Sequence, residues 1–360
     1  MGAKKVVDEQ VEAGRQAQID ALHAKLTEQV AAIVTGEDWV RAITFAARFR
    51  ARSFNNTLLI WIQHAEAFAE GRVDASAPTY VAGYKQWASM GRQVQRGQKG
   101  YAILAPVTYR YAADGPGAPP ITWRRLGRGE PLRPGEVVKN KLVNTRRTHV
   151  WDVSQTEGDP LPTPPTPELL VGDAPAGLWD GLAAQIVKRG FAMCQVPNAA
   201  AIGGANGLTN YIDNTVTVRS DMDEAARSKT LAHELAHVML HGPSSDEARM
   251  HRGVVEVEAE SIALMVGAAH GMDTTGYTIP YVSTWASDVP GTNPVEVVID
   301  TAARVRSTSL EILAALDTQQ VPDGDPPGLD RDSLAKNRTA NQTAGRTRAV
   351  ESLASLEVAR

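Results

Sequence analysis

The stretch KTLAHELAHVMLHG at residues 229–242 decides how this chain is read. It holds His233, Glu234 and His237 in the order H-E-x-x-H. Residues i and i+4 of an α-helix share a face, so imidazoles at 233 and 237 reach one metal ion, and a carboxylate at 234 lies beside it. The flanking sequence suits such a helix. Residues 211–218 (YIDNTVTV) end in a β-branched run and read as a strand. Ser220 or Asp221 can cap a helix, and Gly242 with Pro243 stops it near His241. Leu231, Leu235, Val238 and Met239 give it an apolar side. The pattern predicts Zn2+ on His233 and His237, with Glu234 as general base toward a metal-bound water.

A third protein ligand is needed. The spacing that would add a histidine at 243 fails, because 240 and 243 are Leu240 and Pro243. The sequence VEVEAESIALMVG downstream offers Glu256, Glu258 and Glu260 on a helix expected over 254–270. Glu256 and Glu260 are i and i+4 and share a face. Glu256 is assigned as third ligand and Glu260 as the partner of a ligand histidine's outer nitrogen; exchange of the two is the alternative that spacing leaves open. Glu258 points away and is expected to be a solvated charge. His241 is expected to interact with the helix dipole, and His251 is a weaker candidate ligand. Tyr211, Tyr277 and Tyr281 are candidates for stabilising an oxyanion.

Outward from this centre, helices are expected over 176–189 and 293–317. Residues 157–175 are rich in proline and mark a linker, so the boundary between two domains is placed there, with the linker proper at 161–175. The second domain is expected to cover 176–320 and a disordered tail 321–360. Upstream, helices are expected at 5–35, 39–50 and 57–70, then strands at 101–106, 106–111 and 148–153. Residues 112–137 read as a loop or extended hairpin.

Charge divides along the same line. Residues 1–150 hold 22 Lys+Arg against 13 Asp+Glu, while the whole chain carries a net charge of -4. A basic half beside an acidic half points to a polyanionic partner. Thirteen of the 20 aromatic residues also lie in 1–150, interleaved with arginine and lysine, as single-stranded nucleic acid binding requires. The single cysteine, Cys194, rules out an internal disulfide and is expected to be a small buried residue. With no apolar run near the roughly 20 residues of a membrane span and no signal-like start, a cytoplasmic location and no membrane partner are expected.

Two resemblances add to this. Residues 229–242 and EVEAESIA at 256–263 resemble metallopeptidases of the ImmA/IrrE type, over roughly 176–270. That likeness implies a gluzincin-like α+β metallopeptidase domain, a zinc-dependent endopeptidase activity with the ligand roles above, and a peptide substrate aligned on an upstream edge strand near 211–218. The runs SFNNTLLIWIQ (53–63), PTYVAGYKQW (78–87), GRQVQRGQKGYAILAP (91–106) and VWDVSQTEG (150–158) resemble the ArdC-like antirestriction family. That likeness implies an α+β domain over 1–160 that binds single-stranded DNA. Carried over by position, Ser53, Asn55, Asn56, Gln63, Tyr84, Trp87, Arg92, Arg96 and Lys99 form the expected DNA surface, with Gly91, Gly97 and Gly100 bringing backbone close to phosphate or making tight turns. The expected function is DNA protection against restriction on a mobile element. The alternatives are a regulatory endopeptidase cleaving a repressor, and a DNA-binding protein with a silent peptidase domain.

Overall fold

The computed structural model describes residues 2–33, 35–127, 129–161, 172–242, 252–273, 282–287, 289, 292–327 and 329, with backbone only for 2–12, 29, 252 and 282–284. It is a mixed α+β protein with two compact units. One unit comprises residues 1–22, 82–159 and 328–360; the other comprises 23–81 and 160–327. The expected first domain, 1–160, is thus divided between both units. The reason lies in the core of the second unit, described below.

The first unit is built on a long two-stranded ribbon, β3 (Tyr101–Ala113) against β5 (Val137–Asp152), within a four-stranded sheet that also holds β1 (Val81–Ala82) and β4 (Arg124–Arg125) in the order β1-β5-β3-β4. The two strands expected at 101–106 and 106–111 are one. Val143 is left over where the register shifts between Val107 and Thr108, a bulge that bends the ribbon. At the ribbon's base, Tyr101, Ala102, Ile103 and Val150 are buried. The short helix α4 (Tyr84–Ser89) packs there through Trp87, whose Nε1 donates to the Trp151 carbonyl at 3.0 Å. Gly100 is required by this packing: a Cβ there would lie 2.6 Å from the Trp151 ring. Strands β2 (Arg92–Val94) and β6 (Thr156–Gly158) pair beside it.

The second unit begins inside α1 (Gly2–Ala31), where Leu26 and Val30 are buried. Helix α2 (Gly36–Ala47) starts earlier than expected because Thr35 and Asp38 form a reciprocal cap, the Asp38 amide donating to Thr35 Oγ1 and the Thr35 amide to Asp38 Oδ2. Helix α3 is Phe54–Ala69. Next come α5 (Leu178–Lys188), β7 (Ala192–Val196), β8 (Gly207–Asn210), β9 (Thr215–Arg219), α6 (Glu224–Leu240), α7 (Arg252–Ala269), α8 (Val282–Ser287) and α9 (Pro294–Ala314). Helix α7 is the hub. It packs on α2, α6, α8 and α9, and Val257, Ile262, Leu264, Met265 and Val266 along it are at most 1% exposed. Trp39 of α2 is fully buried. Its Nε1 donates to Ser261 Oγ at 2.8 Å and its ring meets Trp285 edge-on at 5.4 Å. A buried indole of this size stabilises by several kcal/mol, which is why residues 23–81 fold with 160–327.

Four sequence expectations change here. The strand expected over 211–218 begins only at Thr215. Residues 211–214 are a turn, with Asn214 in the left-handed region (φ 49°) and Asn210 Oδ1 accepting from the Ile212 amide at 2.9 Å. This strand, β9, is also not an edge: the order is β7-β9-β8, so β8 is the edge strand beside α6. Cys194 on β7 is exposed, not buried. Finally, the chain is packed beyond 321. The Val321 amide donates to the Ala269 carbonyl at 2.8 Å, and a Cβ on Gly324 would lie 2.6 Å from the Arg48 carbonyl. Residues 328 and 330–360 of the expected tail, and 162–171 of the expected linker, lie outside the described residues. No helix among the described residues is long and apolar enough to cross a membrane.

Candidate functional site

Helix α6 is capped by Asp223, whose Oδ1 accepts from the Ala226 amide at 2.7 Å. Leu231 and Leu235, one turn apart, are fully buried and fix the rotation of the helix. That rotation brings His233 and His237 together with Nε2 atoms 3.0 Å apart. Glu256 of α7 meets them: its Oε2 lies 3.6 Å from His233 Nε2 and 3.8 Å from His237 Nε2. The three ligand atoms lie within 4.8 Å of one another. A tetrahedral ion bound at ~2.0–2.1 Å to both nitrogens needs them about 3.3 Å apart, so the donor set fits a divalent cation with shifts of a few tenths of an ångström. Glu256 is 61% exposed and opens the site to solvent; His233 and His237 are 21% and 14% exposed.

The outer nitrogens are held too. His233 Nδ1 lies 3.2 Å from Glu260 Oε2, and Glu260 Oε1 is paired with Lys229 Nζ at 2.8 Å. His237 Nδ1 lies 2.9 Å from His241 Nδ1, and His241 Nε2 lies 3.0 Å from Glu258 Oε2. Arg304 of α9 donates to the other Glu258 oxygen. Glu258 is therefore not a solvated charge. It is 4% exposed and compensated on both oxygens, as a buried carboxylate must be. His241, 7% exposed, links His237 to that carboxylate instead of only facing the helix dipole.

Glu234 is 6% exposed and faces β8. Thr209 Oγ1 donates to Glu234 Oε2 at 2.6 Å. Gly207 allows the close approach of strand and helix, since a Cβ there would lie 2.8 Å from Thr230 Cγ2 and 2.9 Å from Glu234 Cγ. Tyr211 donates to the His237 carbonyl at 2.8 Å; Tyr277, Tyr281 and His251 lie outside the described residues.

Titration follows the packing. Burial raises the Glu234 carboxyl above its ordinary range, against the Thr209 hydrogen bond that lowers it. Burial also opposes a proton on His233, yet hydrogen bonds to Glu256 and Glu260 outweigh it and push His233 up to about 9, while burial and the adjacent His233 push His237 down to about 3. Burial, then Glu234 and Glu256, raise the Tyr211 hydroxyl, so it stays a donor.

The expected DNA residues scatter. Ser53, Asn55, Asn56 and Gln63 belong to the second unit, and Tyr84, Trp87, Arg92, Arg96 and Lys99 to the first. Ser53 caps α3, accepting from the Asn56 amide at 3.3 Å, and Gln63 bonds the Leu59 carbonyl at 2.7 Å. Asn55 and Asn56 are half-buried in the first turn of α3. Trp87 is fully buried, so its ring offers no face for a base. Arg92, 9% exposed, is spent on Thr156 Oγ1 and the carbonyls of Thr156, Gly158 and Asp159, where it ties β2 to β6. Gly91 is accounted for by its left-handed φ of 72° against Asp159. Tyr84, Arg96 and Lys99 are exposed. Tyr84 meets the Trp151 ring edge-on at 6.0 Å, and His149 lies 6.2 Å from Trp151. Sequence reasoning missed Trp151 and His149 here, and Thr209, Gly207 and the His241–Glu258–Arg304 chain at the metal site. Of these, only His241, one turn beyond His237, carried a signal in its spacing.

A family model described as the N-terminal domain of anti-restriction factor ArdC matches residues 15–126. A Bacillus anthracis protein described as uncharacterized is 24% identical over 268 residues, covering 70% of this chain and 44% of its own length, so the chain spans less than half of that relative. Crystal structures of the antirestriction protein ArdC from plasmid R388 are also similar. The metal-free one shares 18% identity, covers 72% of this chain and 84% of its own, and has a TM-score of 0.41. The Mn(II)-bound one shares 16% identity, covers 81% and 96%, and has a TM-score of 0.42. The matched segment, residues 15–126, is thus similar to the N-terminal domain of anti-restriction factor ArdC and ends well before α6 and α7.

Proposed function

We propose that the chain is an antirestriction protein that binds single-stranded DNA through residues 82–159 and carries a divalent-metal peptidase centre on α6 and α7, with zinc as the resident ion. The observation that carries the reading is the convergence of His233, His237 and Glu256 beside a buried Glu234 and the edge strand β8. His233, His237 and Glu256 would hold a divalent ion, which would supply Lewis acidity at the site. Glu234, whose carboxyl burial raises, would be the group beside that ion that accepts a proton and passes it on. Thr209 holds Glu234 in place by donating to it. Strand β8 has one edge unpaired by the sheet and can align an extended peptide by backbone hydrogen bonds. On the DNA side, exposed Tyr84 with Trp151 offers rings for base stacking, and Arg96 and Lys99 offer cations for phosphate.

The second reading is a regulatory endopeptidase that uses DNA only for targeting; β8 beside Glu234 is the feature that favours it. One variant separates the two. Glu234→Gln removes the base and keeps the shape. DNA protected from restriction by the variant as well as by the parent supports the antirestriction reading with protease as a separate activity; loss of protection along with hydrolysis supports the second. Metal analysis of the purified chain decides between zinc and manganese, the ion in one R388 ArdC structure.

A further inference from the structure

The distal half of the β3–β5 ribbon has a composition that neither its fold nor the metal centre requires. In an antiparallel pair, residues directly opposite each other point to the same face. The register pairs Tyr111 with Lys139, Tyr109 with Lys141 and Ala105 with Arg146, and β4 adds Arg125 opposite Tyr111. One face of the ribbon thus presents Tyr109, Tyr111, Arg125, Lys139, Lys141 and Arg146. All four cations are exposed and both tyrosines are partly so. Across β3 and β5 the sole acidic residue is Asp152, buried at the far end.

Cations and rings on this face are already arranged around one another. The Arg125 guanidinium lies 3.5 Å from the Tyr109 ring centroid, and Lys139 Nζ lies 3.6 Å from that of Trp123. Of the carboxylates at this end, Glu130 and Glu136 are both engaged by Arg124, and Asp114, exposed just after β3, leaves the four cations of the face in excess. Arg124 lies opposite Ala112 and so on the other face. A core strand would show buried aliphatic residues at these positions. Even Leu142, paired with Thr108 on the other face, and Val143 at the bulge are 59% and 47% exposed.

We infer that this face is a second binding surface for single-stranded nucleic acid, with bases stacking on Tyr109, Tyr111 and the Arg125 plane, and phosphates held by Lys139, Lys141 and Arg146. The inference rests on the DNA-binding reading above and adds to it a site away from Tyr84 and Lys99. The face runs along about six residues, or ~20 Å of strand. Rings that lie between cations take unpaired bases, since a duplex keeps its bases stacked on one another.

The test is fluorescence anisotropy of the full chain with a labelled oligothymidine and with a duplex of equal length, across a salt series. The parent is expected to favour the single strand. Tyr109→Ala with Tyr111→Ala weakens single-strand binding at least about tenfold and leaves duplex binding unchanged. Lys139→Ala with Lys141→Ala lowers the salt slope of single-strand binding by about 1.4. These two lysines are exposed, so the pair tests the face even where the tyrosine variant misfolds, and unaltered circular dichroism and metal content certify each sample. A parent that binds while both ribbon variants match it overturns this face and leaves the DNA reading standing. Equal loss of single-strand and duplex binding in the tyrosine variant overturns stacking. A parent that binds no DNA brings down the DNA reading itself.

Discussion

The α6–α7 pair and the β3–β5 ribbon use charge in opposite ways. In the helix pair, three carboxylates are largely covered and each meets a partner: Glu258 has His241 and Arg304, Glu260 has His233 and Lys229, and Glu234 has Thr209. On the ribbon, Lys139, Lys141 and Arg146 stand in solvent. The first arrangement fixes geometry at the cost of desolvation, and the second keeps charge available to a partner that arrives from water. The same residue types therefore signify different things in the two regions. Arg92 and Trp87 make the point within one unit, since both look like DNA contacts by type and both are structural by burial.

The comparison can be broken at several points. The largest effect is expected from Glu234→Gln, which should reduce peptide hydrolysis by on the order of 10²–10⁴-fold with metal content intact; hydrolysis at the parental rate would remove Glu234 from the chemistry. Next is Trp39→Ala, far from the metal in sequence yet inside its unit, which should cost ~3–5 kcal/mol in thermal or urea unfolding. An unchanged midpoint would dissociate α2 from the core around α7. His241→Ala should weaken metal affinity about 10–100-fold, measured by competition with a chelating dye, while His241→Gln recovers part of it; equal affinity in all three would make the His237–His241–Glu258 chain a packing feature alone.

Two smaller effects sharpen the ribbon side. Arg96→Ala is expected to lower the salt slope of DNA binding by about one without loss of stability, whereas Arg92→Ala lowers stability. The reverse pattern would exchange their roles. Hydrogen bonds from Arg124 and the Arg133 amide hold Glu136 down to about 2. A carboxylate depressed in the folded state stabilises above its ordinary value of 4.5 and loses that contribution as pH falls toward 2. Limited proteolysis at 126–137 should therefore quicken between pH 4.5 and 2, and the Glu136→Gln variant should show no such step. A pH-independent rate in the parent would mean that this tie does not order the segment.

How much of this was legible in the sequence depends on the range of the interaction. The site on α6 was readable because i, i+4 spacing encodes a face, and the same rule grouped Glu256 with Glu260. It could not tell where Glu258 goes, because its partners are His241, seventeen residues upstream, and Arg304, further along the chain. The capping of α2 by Thr35 and Asp38 was local and could have been read from the spacing of those two residues. The membership of α2 and α3 in the unit that holds His233, His237 and Glu256 was not, since it rests on Trp39 reaching Ser261 across 222 positions. Nor could the strand order β7-β9-β8 be read, so the edge was assigned to the middle strand.

The Trp39–Ser261–Trp285 contact also sets a schedule. Synthesis proceeds at ~5–20 residues per second, so Trp39 leaves the ribosome roughly 10–45 s before the residues that bury it. During that interval the ribbon-bearing segment 82–159 emerges whole and can fold first, while α2 and α3 wait with an apolar side uncovered. A chaperone that engages the nascent chain would find its binding site there, and excision of 82–159 with rejoining of 81 to 160 would shorten the wait.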